Sequence, residues 1–332
     1  MAEYKDVMIY GEIKEGKLAP ITAELLGCGR KLADDLGQTL CAVLIGSDIS
    51  RLAQEAVASG ADKVYVVDDP LLKDYQTDAY VAVMEKVVKQ AMPQIILMGQ
   101  TSVGRDLAPS LAFKLDTAVS MDCLELSVDP DSKLMLQTRS VYGGNAQAIY
   151  TCDTYPQMAT VRTKAMSPLE RDDSRKGEVA PVEAGLDPST IRARVVEKVS
   201  QEVEGLKLED AEIIVSGGRG MGNGENFKPL EELAKAMGGA VGASRPPADN
   251  GWVPESCHIG LTGKVVAPNL YIAIGISGAS QHLSGCSGSK HIVAINKDPE
   301  ANIFRVAEFG IVGKWEEVIP AFTDKVKGLL SG

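Results

Sequence analysis

Alternation of apolar and polar positions divides the first part of the chain into short β-branched runs and longer amphipathic stretches. The runs Val7–Glu12, Thr39–Ile45, Lys63–Val67 and Gln94–Met98 read as strands. Between them, Ile21–Leu36 and Thr77–Gln90 carry apolar residues at helical spacing, as at Leu25, Leu26, Leu32 and Leu36. Strands in turn with helices imply a largely parallel, helix-covered sheet. The turn after Met98 opens a further helix ending near Leu115. Beyond it, Leu124–Val128, Leu134–Arg139, Ala146–Thr151 and Met158–Arg162 follow without helices, which reads as an antiparallel extension of the same sheet. The stretch Ser167–Thr190 is polar, charged and proline-bearing, and Arg192–Val199 alternates like one more strand. A domain boundary is expected near Gly205, giving domains over 1–205 and 206–332.

The second half restarts with a buried strand at Glu212–Val215, followed by SGGRGMGNGEN and a helix from Phe227 to Met237. Further strands are expected at Ala240–Gly242, Lys264–Ala267, Leu270–Ile274 and His291–Asn296, with a final helix from Trp315 to Leu329. The fold class is therefore α/β, with two doubly wound domains.

Composition narrows the partners. The 332 residues are 45% hydrophobic but only 5% aromatic, so burial falls to aliphatic side chains and methionine. A net charge of −11 repels nucleic acid and anionic lipid. No segment approaches the roughly 20 apolar residues of a membrane span, and the N-terminus has no signal-peptide run. A cytoplasmic protein with no membrane insertion is expected. Six cysteines without CxxC or CxxH clusters, and three dispersed histidines, predict no metal site.

Four loops of the second half carry chemistry, each with an ordinary alternative. Ser216–Asn226 follows a strand with glycines that let backbone N–H groups approach a phosphate, and Arg219 adds charged donors; plain turn chemistry explains such a loop equally well. Val241–Pro247 presents Ser244 and Arg245 after a strand, where ligands of doubly wound sheets lie, although most single arginines are surface residues. Ile259, Gly260, Leu261 and Thr262 open a glycine-flanked turn with a hydroxyl. Finally, a strand ends in Ser277, Gly278, Ala279, Ser280, Gln281 and His282, a small-residue loop entering a helix, and the next strand ends in Asn296. Together these loops outline a dinucleotide-sized pocket. No Ser–His–Asp, Cys–His or paired-carboxylate arrangement suggests hydrolysis, so the pattern is one of holding a cofactor.

The runs LYIAIGISGASQHLSG and KHIVAINKDPEANIF, with SGGRGM, GENF, VGASRP, GWVP and TGKVVAP in the same order, closely resemble the alpha subunits of electron-transfer flavoproteins. The likeness is dense from Ala211 to Gly313 and looser over the first domain, where GRDLAPSLAFKLDTAVSMDC and RSVYGGNA fall. It implies a nucleotide-binding-like first domain packed against a beta subunit, and an FAD-binding second domain. The implied ADP and pyrophosphate contacts fall on Arg219, the Ser277–His282 loop and Asn296; the implied flavin-ring contacts fall on Ser244, Arg245, Thr262, Gln281 and His282. His282 is expected to donate to the ring, Arg245 to stabilise its reduced, negative form, and the Thr262 hydroxyl to meet N5.

Some positions depart from the family pattern. Leu261 stands where glutamine is frequent, Ser280 where isoleucine or valine is usual, and the loop GCSGSK and Lys314 also differ. These departures resemble a branch that includes nitrogen-fixation and anaerobe proteins. There, electrons from NADH are bifurcated between ferredoxin or flavodoxin and a quinone or acyl-CoA dehydrogenase. The alternative is an NAD-binding enzyme of deacylase or transhydrogenase-like fold.

Overall fold

Three fully buried runs, β1 (Val7–Gly11), β4 (Leu40–Gly46) and β6 (Ile95–Gly99), form the middle of the first sheet. The structure, a computed structural model, describes residues 4–142, 146–193, 195–197 and 206–330. In chain order the first unit also contains the short pair β2 (Ile13–Lys14) and β3 (Lys17–Leu18), then α1 (Pro20–Leu36), α2 (Leu52–Ala58), β5 (Lys63–Asp68), α3 (Thr77–Ala91) and α4 (Ser102–Lys114). It closes with β7 (Val119–Val128), β8 (Met135–Val141), β9 (Ala146–Tyr150), β10 (Gln157–Val161) and β11 (Glu178–Pro181).

The sheet order is β11-β5-β4-β1-β6-β10-β7-β8-β9. Successive side chains of a strand point to opposite faces, so Val7 and Ile9 join one buried cluster with Leu25 and Leu32 of α1. Met8 and Tyr10 join the other, with Met84 of α3 and Leu107 of α4. Burial on both faces is why these strands read as unbroken apolar runs.

Several sequence expectations change here. The strand at Met158–Arg162, expected in the antiparallel extension, is β10, which lies between β6 and β7 and is parallel to both. Its five residues are all buried, as a central parallel strand requires. Among the described residues, the antiparallel pairings of this sheet are β7 with β8 and β8 with β9. Within the polar stretch Ser167–Thr190, β11 adds a parallel edge to β5; its mostly exposed side chains hid it from the hydrophobic pattern. The strand expected at Arg192–Val199 is absent at 192–193 and 195–197, and the rest of it lies outside the described residues, as does the boundary near Gly205. Arg192 instead binds the Asp78 carboxylate at 3.1 Å.

The second unit contains β12 (Ile213–Gly217), α5 (Lys228–Ala236), β13 (Ala240–Ala243), α6 (Arg245–Asp249), β14 (Leu270–Ile274), α7 (Ser280–Cys286), β15 (His291–Asn296), β16 (Phe309–Val312) and α8 (Trp315–Leu330). The five strands are parallel, in the order β13-β12-β14-β15-β16. Alternation again sorts the core: Ile214 and Tyr271 face one cluster, and Val215 and Ile272 face the cluster containing Phe227 and Leu230. The strand expected at Lys264–Ala267 reduces to a single bridge, Ile259 to Lys264. There Val266 N–H turns away to Gly285 O, 2.8 Å distant, on α7. The edge strand β16 escaped the sequence pattern because all four of its residues are exposed.

Candidate cofactor site

In the second sheet, chain direction reverses between β12 and β14: the connection from β12 leads outward to β13, and that from β14 leads the other way to β15. Loops leaving the carboxyl ends of such neighbouring strands diverge and open a crevice. The crevice here measures about 770 Å³, within the ordinary range of ligand pockets.

Glycines set how closely the two loops approach. Gly218 N–H donates to Ile274 O at 2.8 Å and Gly220 N–H to Gly275 O at 3.0 Å. A Cβ on Gly218 would lie 2.2 Å from Gly275 O, so any side chain would force the loops apart. Gly278 is constrained twice, by φ of +80° and by Ile303 N lying 2.2 Å from where its Cβ would stand.

On one side of the crevice stand Arg219, Ser277, Ala279, Gln281, Asn296 and Lys297. Among the described residues the N–H groups of Gly278, Ala279, Ser280 and Gln281 have no hydrogen-bond acceptor, and they sit together at the entry to α7. Unpaired amides and two cations suit an anionic group such as a pyrophosphate. Asn296 has a shaping role: its Nδ2 donates to Ile276 O at 2.9 Å and its Oδ1 accepts from Asp298 N–H at 3.0 Å.

The other side is built from the end of β13 and the turn after it. Ser244 N–H donates to Gly217 O at 3.0 Å, and Ile259 N–H to Ala243 O at 2.9 Å. Leu261 N–H donates to Gln281 O at 2.7 Å, tying this turn to α7. Thr262 lines the crevice, and its hydroxyl has no partner among the described residues. Arg245 also lines it, exposed and 3.2 Å from the Asp249 carboxylate.

Of the sequence-nominated residues, Arg219, Ser244, Arg245, Ile259, Gly260, Leu261, Thr262, Ser277, Ala279, Gln281, His282 and Asn296 line the crevice. Gly278 and Ser280 stand in the same loop without lining it. His282 differs from the expectation in one respect. It is 6% exposed, with Nδ1 3.0 Å from Ile259 O and Nε2 3.0 Å from the Tyr271 hydroxyl. A carbonyl only accepts, so Nδ1 carries the proton, and Nε2 of the neutral ring accepts from Tyr271. Burial holds the imidazole down to about 4. Both ring nitrogens are engaged inside the protein, leaving no side-chain donor for a ligand in this arrangement.

Sequence reasoning missed His258, Lys297 and Asp298, which line the same crevice. Lys297 and Asp298 directly follow the nominated Asn296, a signal that was present. His258, one of three histidines scattered through the chain, had none. No cluster of residues able to hold a metal ion occurs among the described residues, and no described helix is long and apolar enough to cross a membrane.

Comparison with known proteins follows the two units. Residues 7–186 match the family described as electron transfer flavoprotein domain, and residues 207–287 match electron transfer flavoprotein FAD-binding domain. The electron transfer flavoprotein subunit alpha of Thermoanaerobacterium thermosaccharolyticum is 46% identical, with 99% of this chain and 100% of that protein aligned. The subunit of the same name from Megasphaera elsdenii is 46% identical, over 98% of each chain. Protein FixB of Clostridium saccharobutylicum is 40% identical over 100% of this chain and 99% of its own length.

Proposed function

Because this chain belongs to the electron transfer flavoprotein alpha-subunit family, we propose that it carries FAD in the crevice of its second unit and works as a heterodimer with a beta subunit. The observation that carries the reading is the switch-point crevice of about 770 Å³, with unpaired amides and cations on one side and a polar, glycine-lined turn on the other. The residues fit the cofactor. Arg219, Lys297 and the amides of 278–281 match the negative pyrophosphate, and the closely approached glycines leave room for its backbone.

Bound FAD supplies the redox chemistry, accepting electrons from one protein and giving them to another. The chain's residues bind it, orient it and set its electrostatic surroundings. Ile259 and Ile276 give the crevice an apolar lining that excludes water and strengthens nearby charges. Arg245 places a positive charge where it offsets negative charge arriving on the ring. The Thr262 hydroxyl can both donate and accept, so it can hold a ring nitrogen in either protonation state. The Tyr271–His282–Ile259 chain of hydrogen bonds fixes the turn that presents Thr262.

The finer assignment is to an NADH-dependent, electron-bifurcating system in the cytoplasm, with an acyl-CoA dehydrogenase as redox partner and ferredoxin or flavodoxin as second acceptor. Leu261, Ser280 and the Gly285–Lys290 loop support it through their resemblance to that branch. The test is to co-express the chain with its beta subunit, count FAD per heterodimer after denaturation, and add NADH anaerobically. Two FAD and reduction by NADH support bifurcation. One FAD inert to NADH leaves the ordinary carrier, and absence of flavin overturns the proposal.

A further inference from the structure

The crevice holds two histidines with opposite situations. His282 is buried with both ring nitrogens bonded. His258 is half-buried, and neither of its ring nitrogens has a hydrogen-bond partner among the described residues. Its ring lies against the turn that presents Thr262. A methyl group on Gly263 would stand 2.7 Å from Nδ1 of His258, and one on Gly260 3.3 Å from Nε2. The main chain fixes this placement, with Lys264 N–H donating to His258 O at 2.7 Å and Gly260 N–H to Lys264 O at 3.1 Å.

We propose that His258 is the proton-accepting group of this site: neutral beside the oxidised cofactor, and protonated when the cofactor accepts an electron. The inference rests on the FAD reading above. When a reduced flavin of a partner protein gives one electron to this site and is itself oxidised by one electron, one proton would pass from water to the His258 imidazole. No bond to the cofactor forms or breaks in this proton step, and reoxidation returns the proton to water. His258 thus compensates charge within the site and makes electron uptake pH-dependent.

The charged surroundings favour such a poise. From α6, Arg245 opposes a second positive charge and Asp249 favours it; from the following turn, Glu255 favours it; and His282 of α7, close by, stays neutral. Burial, with Arg245 beside it, holds His258 below the usual histidine value, so the resting ring is uncharged near neutral pH. Negative charge added to the cofactor reverses the balance, because a nearby opposite charge favours the charged form of a base. His282 is the poorer acceptor, because its deeper burial disfavours the charged ring more strongly.

The test uses the FAD-loaded heterodimer with only this chain carrying histidine 13C-labelled at Cε1, which gives one resonance for each of its three rings. The resonances are titrated with pH in the oxidised protein and after anaerobic reduction by dithionite, and His258→Gln assigns its peak. The expected result is a His258 midpoint at least about one pH unit higher in the reduced state, a tenfold gain in proton affinity. In a redox titration, His258→Gln and His258→Asn should both lose the corresponding pH dependence of the midpoint potential. A His258 midpoint equal in the two states overturns the inference while leaving FAD binding intact. So does a variant whose FAD content changes but whose potential keeps its pH dependence, which marks a packing role. Absence of flavin overturns this inference and the underlying reading together.

Discussion

The Tyr271 hydroxyl donates to Nε2 of His282 over 3.0 Å, while Nδ1–H of the same ring donates to Ile259 O over 3.0 Å. One side chain thereby links the strand β14, the helix α7 and the turn at Ile259. Tyr271→Phe leaves Nε2 buried without a donor, and should destabilise the chain by about 1–3 kcal/mol. Chemical denaturation at neutral pH measures this. A loss below 0.5 kcal/mol, a rough measurement floor, would show the bond to be dispensable.

The same histidine predicts a pH dependence. Its value falls from 6.5 to about 4 on folding because burial disfavours the cation. Between those values the unfolded chain binds the extra proton and the folded chain does not, so stability rises with pH through this window and levels off above it. The contribution is up to about 3 kcal/mol. Unfolding curves of the native chain and His282→Gln, measured from pH 4.5 to 7.5, should diverge as pH rises; parallel curves would show that this histidine is not the source of the pH dependence.

Gly218 has an ordinary backbone conformation, so its need for glycine comes from contact alone: its Cβ would lie 2.2 Å from Gly275 O. Gly218→Ala should push the two loops of the crevice apart. We expect FAD content to fall roughly tenfold, the equivalent of about 1.4 kcal/mol. Absorbance of the purified heterodimer reads this directly.

Arg245→Ala removes the cation facing the crevice and also frees Asp249, its partner at 3.2 Å. Both changes make the site more negative and disfavour electron uptake. At a fixed solution potential the reduced fraction should fall by a factor of roughly ten. An anaerobic titration with a reference dye measures it, and an unchanged midpoint would deny Arg245 its electrostatic role.

Leu261 is 58% exposed at the crevice. Leu261→Gln should therefore leave stability within about 0.5 kcal/mol while altering the flavin absorption spectrum through a new polar neighbour. Spectra identical to those of the native protein would place this side chain away from the ring.

Much of this architecture was legible in the sequence because burial on two faces writes unbroken apolar runs, as at β1, β4, β6 and β14. Elements that bury little left no such mark: β11 and β16 have exposed or half-exposed side chains throughout and are defined by backbone pairing to β5 and β15. Topology was hidden in the same way. The strand β10 follows an antiparallel hairpin in sequence but inserts beside β6, a pairing that no local pattern encodes. At the site, glycine-rich loops after strands marked where the crevice opens. They could not show that His282 turns inward to Tyr271 and Ile259, or that His258 is carried into the crevice by the fold of its turn.

We propose that FAD occupies the crevice at the switch point of the second sheet. Hydrogen–deuterium exchange of the heterodimer, compared after flavin removal and after reconstitution with FAD, tests it most directly. FAD binding should protect 218–221, 244–246, 258–263, 275–282 and 296–298, the segments that line the crevice and its loops. Protection of this chain confined to residues 7–186, the span matched by the other family domain, or no protection in this chain at all, would contradict it.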